Sequence, residues 1–437
     1  LLHTEAYLSK AWTKETVNNF SVSHKKSTSQ IMSSIKFISE LYYPEETSTG
    51  YFVTGIAEGI AAHGNHQVSV LCSQPTYSKK GCIAPRTETH NEVAILRLAA
   101  PMGDKNRFVG RIWNAISLTL RFGLAMARQI KRGDRVIVLT NPPTLPVLAV
   151  IVCRLKKAIP ILLVHDVYPD VLVPVGLVTE HNIFYRIFDS IQRYMLRKME
   201  CIIVLGRDMQ SRLLAKLPEN YADRCVIIPN WGDDCAITPD MRKNNGLIKR
   251  LGLESKFVIQ FSGNLGRTHG LKDLVDLARA FDDRKDIHFL VFGWGAGKNW
   301  LEQTIRTDNI KNITLLAPCK KEELGEYLTA CDLFFFPFKQ GMEGISVPSR
   351  LYNVMAAGSP VLAVCGAESE LAYTVQEEEM GMVAAPGNIE RMIEVINSLL
   401  QTPNQLKVMS ARARKAMQMK YTQEKVVRQY INLLDKI

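Results

Sequence analysis

The stretch Pro337-Phe-Lys-Gln-Gly-Met-Glu-Gly-Ile-Ser-Val-Pro-Ser-Arg350-Leu-Tyr-Asn-Val-Met-Ala-Ala-Gly358-Ser-Pro-Val-Leu-Ala-Val364 decides how this chain folds. It predicts a polar, glycine-containing loop that opens a helix, then a small-residue turn into a buried strand. Pro348 suits the first helical position, where its missing N–H costs nothing. The free amides of the next turn, Ser349 to Leu351, carry partial positive charge, and Arg350 adds a full one. Such a turn receives an anion such as a diphosphate. A capped helix on an ordinary α/β domain competes with this, and the segment alone leaves both open.

Outward from this segment, strands alternate with helices. Strands are expected at Ile35 to Leu41, Val68 to Cys72, Arg135 to Thr140, Ile159 to Val164, Cys201 to Leu205 and Val226 to Pro229. Helical patterns run from Tyr51 to His63 and Pro146 to Leu155. Asn230 to Pro239, rich in turn-formers, reads as a linker. A second series follows, with strands at Phe257 to Ser262, His288 to Phe292, Ile313 to Leu316 and Asp332 to Phe336. Helices are expected at Leu271 to Phe281 and around Glu322 to Ala330. The alternation predicts an α/β chain of two facing Rossmann-like domains, each a parallel doubly wound sheet. One last helix, roughly Asn404 to Ile437, is long enough to cross back onto the first half. The expected division is a weakly ordered extension over 1–31, a first domain over 32–232 and a second over 233–414, with the crossing segment at about 415–437. Ligands of such sheets gather beyond the carboxyl ends of the strands. The loops there are Thr49-Gly50, His165-Asp166, Gly263 to Gly270, Gly293 to Gly297 and Gly341 to Arg350.

Composition narrows the class. A chain of 437 residues exceeds one ordinary core, and 46% apolar with 22% charged residues is globular. Nine cysteines, an odd count without paired spacing, fit a reduced cytoplasmic protein better than disulfides, and no metal site is expected. The net charge of +11 is uneven: Met102 to Arg135 holds eight Lys or Arg against two Asp. Phe108, Ile112, Ile116 and Leu120 recur there every fourth residue beside Val109 and Trp113, among Arg107, Arg111, Arg121 and Arg128. This is the pattern of an interfacial membrane helix, and equally of a surface helix with solvated arginines. Further basic clusters at Arg154, Lys156, Lys157 and at Arg193, Arg197, Lys198 favour an anionic membrane surface. No apolar run reaches the roughly 18 residues of a span, and the first thirty residues lack a signal-peptide core. No aromatic stacking pattern interleaves the basic stretch, so no nucleic-acid partner is expected.

The loops together resemble a known family: the retaining glycosyltransferases of the GT-B fold, family 4, in the branch that makes bacterial capsule, O-antigen and colanic-acid polysaccharides. Its marks are Val347-Pro-Ser-Arg-Leu-Tyr-Asn353 with Met355-Ala-Ala-Gly358, Gly263-Asn264-Leu-Gly266, Asn141-Pro-Pro143 and Ile228-Pro-Asn-Trp231. The likeness covers Met32 to the C-terminus. It implies a donor diphosphate held by Gly50, Asn264, Arg267, His269, Ser349 and Arg350, with His269 contributing charge only if protonated. In the family the glycine loop presents Arg and Lys; here Asn264 takes the Arg position and His269 lies near the Lys position. His165 would orient the reacting centre with Asp166 as helper; a core histidine bonded to backbone is the alternative. Where the family often has two glutamates with seven residues between them, this chain has Ile345 and Asn353. Donor-sugar and ribose contacts then fall to Glu343, Ser346 and Asn353.

Phe292-Gly-Trp-Gly-Ala-Gly297 is not a dinucleotide fingerprint, since it follows an inner strand and lacks the six-residue form. Gly293 and Gly295 would instead admit a nucleotide base or a neighbouring helix. The likeness thus implies a metal-independent hexosyltransferase with no cofactor, its UDP- or GDP-sugar being a substrate. A polyprenyl-diphosphate-linked saccharide would be the acceptor, at the cytoplasmic face of the cell membrane. A nucleotide-sugar epimerase of the same fold, or a catalytically silent membrane scaffold, stands as the alternative.

Overall fold

A computed structural model describes residues 33–63, 66–75, 83–99, 108–239 and 244–437, with only the backbone from 108 to 115. The expected extension over 1–31 lies outside the described residues. So do residues 102–107 of the basic stretch and the side chains of Phe108, Val109, Arg111, Ile112 and Trp113.

Apolar strand runs come in two series, and each builds its own sheet. The first contains β1 (Ser33–Ile38), α1 (Ser48–Ala62), β2 (His66–Ser73), β3 (Thr87–His90), β4 (Val93–Leu98), α2 (Phe108–Gln129) and β5 (Arg135–Leu139). It continues with α3 (Leu145–Lys156), β6 (Ile159–Leu163), α4 (Ile183–Leu196), β7 (Cys201–Val204), α5 (Arg207–Leu214) and β8 (Cys225–Ile227). These eight strands lie in the order β3-β4-β2-β1-β5-β6-β7-β8, all parallel except the β3–β4 hairpin.

The second series runs α6 (Gly246–Leu251), β9 (Phe257–Asn264), α7 (Leu271–Ala280), β10 (Ile287–Trp294), α8 (Lys298–Thr307), β11 (Ile313–Leu316), α9 (Leu324–Leu328) and β12 (Leu333–Pro337). Then come α10 (Arg350–Ala356), β13 (Val361–Val364), α11 (Glu370–Glu377), β14 (Gly381–Ala384), α12 (Ile389–Gln401), α13 (Pro403–Lys420) and α14 (Gln423–Leu434). Its six strands are all parallel, in the order β11-β10-β9-β12-β13-β14. Helices cover both faces of each sheet, so inner strands such as β6, β7 and β12 are continuous apolar runs. Strand order reverses between β1 and β5 and between β9 and β12, and a crevice opens at each reversal.

Three expectations change. The C-terminal helix is two helices, broken at Tyr421-Thr422, where the Thr422 hydroxyl caps α14 by accepting from the Lys425 N–H. Helix α13 packs Ala413, Ala416 and Met417 into the second sheet's core, whereas α14 packs Val426, Val427, Tyr430 and Leu434 beside Phe52 and Ile56 of α1. The crossing back is therefore made by α14. The helix expected around Glu322 to Ala330 shrinks to a 3-10 turn and the five residues of α9. Finally, the hairpin β3–β4 was not expected; Asn91 and Glu92 turn it with positive φ, without the usual glycine.

The linker after β8 is anchored by Trp231, 1% exposed, whose ring meets Phe52 edge-on at 4.8 Å. Gly55 makes room for the same ring: a Cβ there would come within 2.6 Å of it. Next to it the Gly232 N–H donates to the Tyr421 carbonyl at 3.2 Å, so the two chain crossings lie side by side. Trp231→Ala is expected to cost about 3–5 kcal/mol, lowering the melting temperature by several degrees in a calorimetric scan. An unchanged melt would show that the crossing does not depend on this anchor.

Candidate functional site

The loop between β12 and α10, residues 341–349, belongs to the second sheet by sequence but rests on the first. The Val167 N–H donates to the Ile345 carbonyl at 2.9 Å, and Asp166 faces Ser346 in an isolated antiparallel bridge. Arg212 Nε donates to the Glu343 carbonyl at 3.1 Å. The Asp208 carboxylate accepts the Gly344 N–H at 2.9 Å and the Glu370 N–H at 3.0 Å. Gly344 has φ +69, and a Cβ there would come within 2.6 Å of the Asp208 carbonyl oxygen. Val347 is buried in the core cluster of the first sheet. Arg207 pairs with Glu370 through both ends of its guanidinium, each contact 3.0 Å.

This docking brings two helix starts together. Ser48, the first residue of α1, and Ser349, the cap of α10, bring their hydroxyls within 2.8 Å of each other. Pro348 is not the first helical position: α10 begins at Arg350, and the Leu351 N–H closes the turn on the Pro348 carbonyl at 3.0 Å. Thr47 caps α1 and takes the Gly50 N–H at 3.2 Å, so Gly50 contributes its lack of a side chain: a Cβ would come within 2.6 Å of the Glu45 carbonyl oxygen.

His165 stands just beyond β6, its N–H on the Thr140 hydroxyl at 3.2 Å and its Nδ1 3.3 Å from the Thr49 hydroxyl. Its Nε2 is buried without a partner among the described residues. Burial lowers its pKa to about 4, so the ring is neutral at physiological pH, and the neighbouring Asp166 is pushed up to about 6 by burial.

The glycine loop after β9 supplies the opposite wall. The Arg350 guanidinium lies on Gly263 and donates to the Ser262 carbonyl; a Cβ on Gly263, where φ is +120, would overlap it. It sits 5.6 Å from the centre of the Phe261 ring and pairs with no carboxylate among the described residues. Burial lowers its pKa to about 10, so it remains a cation. His269 is buried between Phe261 and Phe338, and burial together with Arg350 lowers it to about 3. The charge expected of it on protonation is therefore absent at neutral pH. Asn264 and Arg267 are exposed on the loop. Gly293 and Gly295 serve the loop itself: Cβ atoms there would come within 1.8 Å of the Gly263 carbonyl oxygen and 2.5 Å of Asn264 Oδ1.

Asn353 lies on α10, its side-chain oxygen accepting the Asp233 N–H of the linker at 2.9 Å. The Glu343 carboxylate packs on Gly366. With Ser346, Asp208, Phe338 and Glu370 it lines a cavity of about 20 Å³, room for one water. Sequence reasoning missed Ser48, Asp208 and Thr140, and also Lys321, whose ammonium stands 5.9 Å from the Tyr51 ring at the start of α1. The position of Lys320-Lys321 just beyond β11 was the signal available for the last.

Family comparisons agree with this architecture. Residues 49–231 match the family "Glycosyl transferase 4-like domain", and residues 246–416 match "Glycosyl transferases group 1". WbjE of Pseudomonas aeruginosa, named as a glycosyltransferase, is 27% identical over 301 residues, 69% of this chain and 74% of its own length. WcaI of Escherichia coli (strain K12), named as a colanic acid biosynthesis glycosyl transferase, is 24% identical over 90% of this chain and 97% of its own. The structure of Anabaena HepE in complex with UDP superposes with a TM-score of 0.68 at 14% identity, covering 92% of this chain and all of that one. The fold is GT-B, and the chain carries a glycosyl transferase 4-like domain followed by a group 1 glycosyltransferase domain.

Proposed function

We propose that the protein is a retaining, metal-independent hexosyltransferase that moves a sugar from a UDP- or GDP-linked donor to a polyprenyl-diphosphate-linked saccharide. The setting would be bacterial surface polysaccharide synthesis, such as capsule or O-antigen, at the inner face of the cell membrane, with residues 102–135 against anionic lipid. Residues 233–414 would take the donor and residues 32–232 the acceptor. WcaI and UDP-bound HepE support the polysaccharide and UDP parts of this proposal by likeness.

One observation carries it: a half-buried Arg350 without a carboxylate partner among the described residues, beside two helix starts whose hydroxyls meet. A buried cation of this kind is costly unless an anion compensates it. A donor diphosphate bridging the α1 and α10 starts would do so. The leaving group gains negative charge as the glycosidic bond breaks, so donors fixed beforehand at Ser48, Ser349, Arg350 and the exposed Asn264 and Arg267 lower that barrier. His269 enters as a neutral wall. His165 Nε2 is free to hydrogen-bond a sugar hydroxyl; Thr49 meets its ring at Nδ1, and Thr140 holds its backbone N–H. Glu343, Ser346 and Asn353 complete the sugar and ribose side, with Gly293 and Gly295 beneath the base.

A panel of UDP- and GDP-hexoses screened by thermal shift, followed by transfer onto a polyprenyl-diphosphate saccharide, tests the proposal. Product with an unchanged anomeric configuration supports retention, and free epimerised donor without transfer refutes it. Arg350→Ala should raise the Kd for the nucleoside diphosphate about 10- to 100-fold by calorimetry. An equal Kd would move the phosphates elsewhere. For His165→Ala, kcat should fall on the order of 100-fold while nucleotide affinity stays constant; equal losses in both would assign the ring to donor binding.

Asp166 gives a pH signature. Its carboxyl pKa is about 6 when folded against an ordinary 3.8, so between these values the folded state holds the extra proton. Stability therefore falls as pH rises from about 4 through 6, then levels off. Asp166→Asn escapes this loss and should exceed the parent by about 2–3 kcal/mol above pH 6, with the advantage fading below pH 4. Parallel melting curves at every pH would contradict the buried carboxyl.

A further inference from the structure

The β3–β4 hairpin is built around a buried cation. Arg97 on β4 is 1% exposed, and its guanidinium reaches three acceptors. One terminal nitrogen donates to the Tyr43 carbonyl and to the Glu88 carboxylate of β3, each at 2.8 Å. The other donates to the Pro85 carbonyl at 2.9 Å, and Nε has no partner among the described residues. Burying a guanidinium is costly, and an apolar side chain of similar volume often serves stability as well or better. What an apolar side chain lacks is a rigid fork of donors that holds carbonyls from separate segments in one geometry.

Tyr43 lies in the turn between β1 and α1, so Arg97 ties that turn to the hairpin. Other contacts of Tyr43 reinforce the tie. Its N–H donates to the Thr54 hydroxyl of α1 at 3.1 Å, and its ring stacks on His90 of β3 at 3.8 Å. His90 Nε2 in turn stands 3.6 Å from a Glu58 carboxylate oxygen on α1. Beyond Tyr43 the chain soon reaches Thr47, the cap of α1, then Ser48 beside Ser349 and Thr49 beside His165. The link from Arg97 to the candidate site therefore runs through the main chain of residues 43–47.

We propose that Arg97 is a positioning residue for sugar transfer: it sets the turn 43–47, and through it the α1 start on which Ser48 and Thr49 stand. The inference rests on the reading that this start faces the donor diphosphate and His165. A misplacement of about 1 Å at a reacting centre costs on the order of 100-fold in rate, so a small shift of the turn is measurable in kcat. Arg97→Lys isolates the effect. It keeps a cation for Glu88, but a single ammonium does not reproduce the fork.

Hydrogen exchange of the full chain reads the turn without donor or acceptor. In Arg97→Lys the amides of residues 45–50 should exchange at least about tenfold faster, with those of β12 in the second sheet unchanged. For the transfer reaction, kcat should fall about 10- to 100-fold. In a Ser48→Ala, Thr49→Val background the same substitution should cost less than about threefold, because the groups it displaces are already gone. Glu88→Gln, at a part-exposed side chain, should move both readouts the same way by a smaller factor, and it decides the matter where Arg97→Lys yields no folded protein. Parent-like exchange at 45–50, or an equal loss of kcat in the Ser48→Ala, Thr49→Val background, would overturn the proposal. So would faster exchange spread over both sheets, which makes Arg97 a residue of stability alone. A parent that transfers no sugar overturns the function proposed above and this inference with it, whereas a parent and an Arg97→Lys variant of equal kcat overturn this inference alone.

Discussion

Everything at the candidate site depends on the loop of residues 341–349 being fastened to the first sheet. Without the Val167 N–H on Ile345, the Asp208 carboxylate on Gly344 and Val347 in the first core, the α10 start would have no fixed relation to α1. Hydrogen bonds to a charged acceptor contribute about 1.5–3 kcal/mol each, more than exposed ion pairs do. Asp208 makes two such bonds across the interface, to Gly344 and to Glu370. The backbone crossings at Gly232 and Thr422 form the other attachment between the sheets. Separating the two sheets here would have to break the Asp208 and Val167 contacts.

The electrostatics at the cleft follow from burial more than from formal charge. Two histidines that a sequence reader counts as possible cations, His165 and His269, are neutral because burial lowers both to about 4 and 3. One carboxyl, Asp166, is drawn toward its protonated form by the same cause. That leaves the half-buried Arg350 as the cation of this wall and the helix starts as partial charges. The proposed function needs donors of this fixed kind, because little then has to reorganise as charge develops.

Much of the fold was legible because strands buried on both faces write themselves as apolar runs. Ile159–Leu163 and Leu333–Pro337 are examples, and both sheets could be placed from such runs. The hairpin at Thr87–His90 was not legible, because Thr-Glu-Thr-His has no apolar face and its turn lacks glycine. The C-terminal break was missed too: its local signal was Thr422, an N-cap residue type, without a glycine or proline beside it. Of the site, the loops were legible from glycine and strand ends. Asp208 was not, because its partner Gly344 lies 136 residues away in sequence. Arg350 was read as an anion receptor, but its burial depends on Gly263, which only the assembled sheet brings beneath it.

Helix α4 is tied to the same loop through a chain of charged groups. Its inward Asp189 holds Lys216, Lys216 holds the buried Asp170, and Asp170 accepts from Arg212 at 2.9 Å. Arg212 in turn donates to the Glu343 carbonyl in the stapled loop. The outward face of α4 carries Ile183, Phe184, Ile187, Phe188, Ile191 and Tyr194 together with Arg186 and Ser190. The inner side of α4 carries Asp189 and Gln192, which terminate this chain of charges, beside the buried Met195 and Leu196.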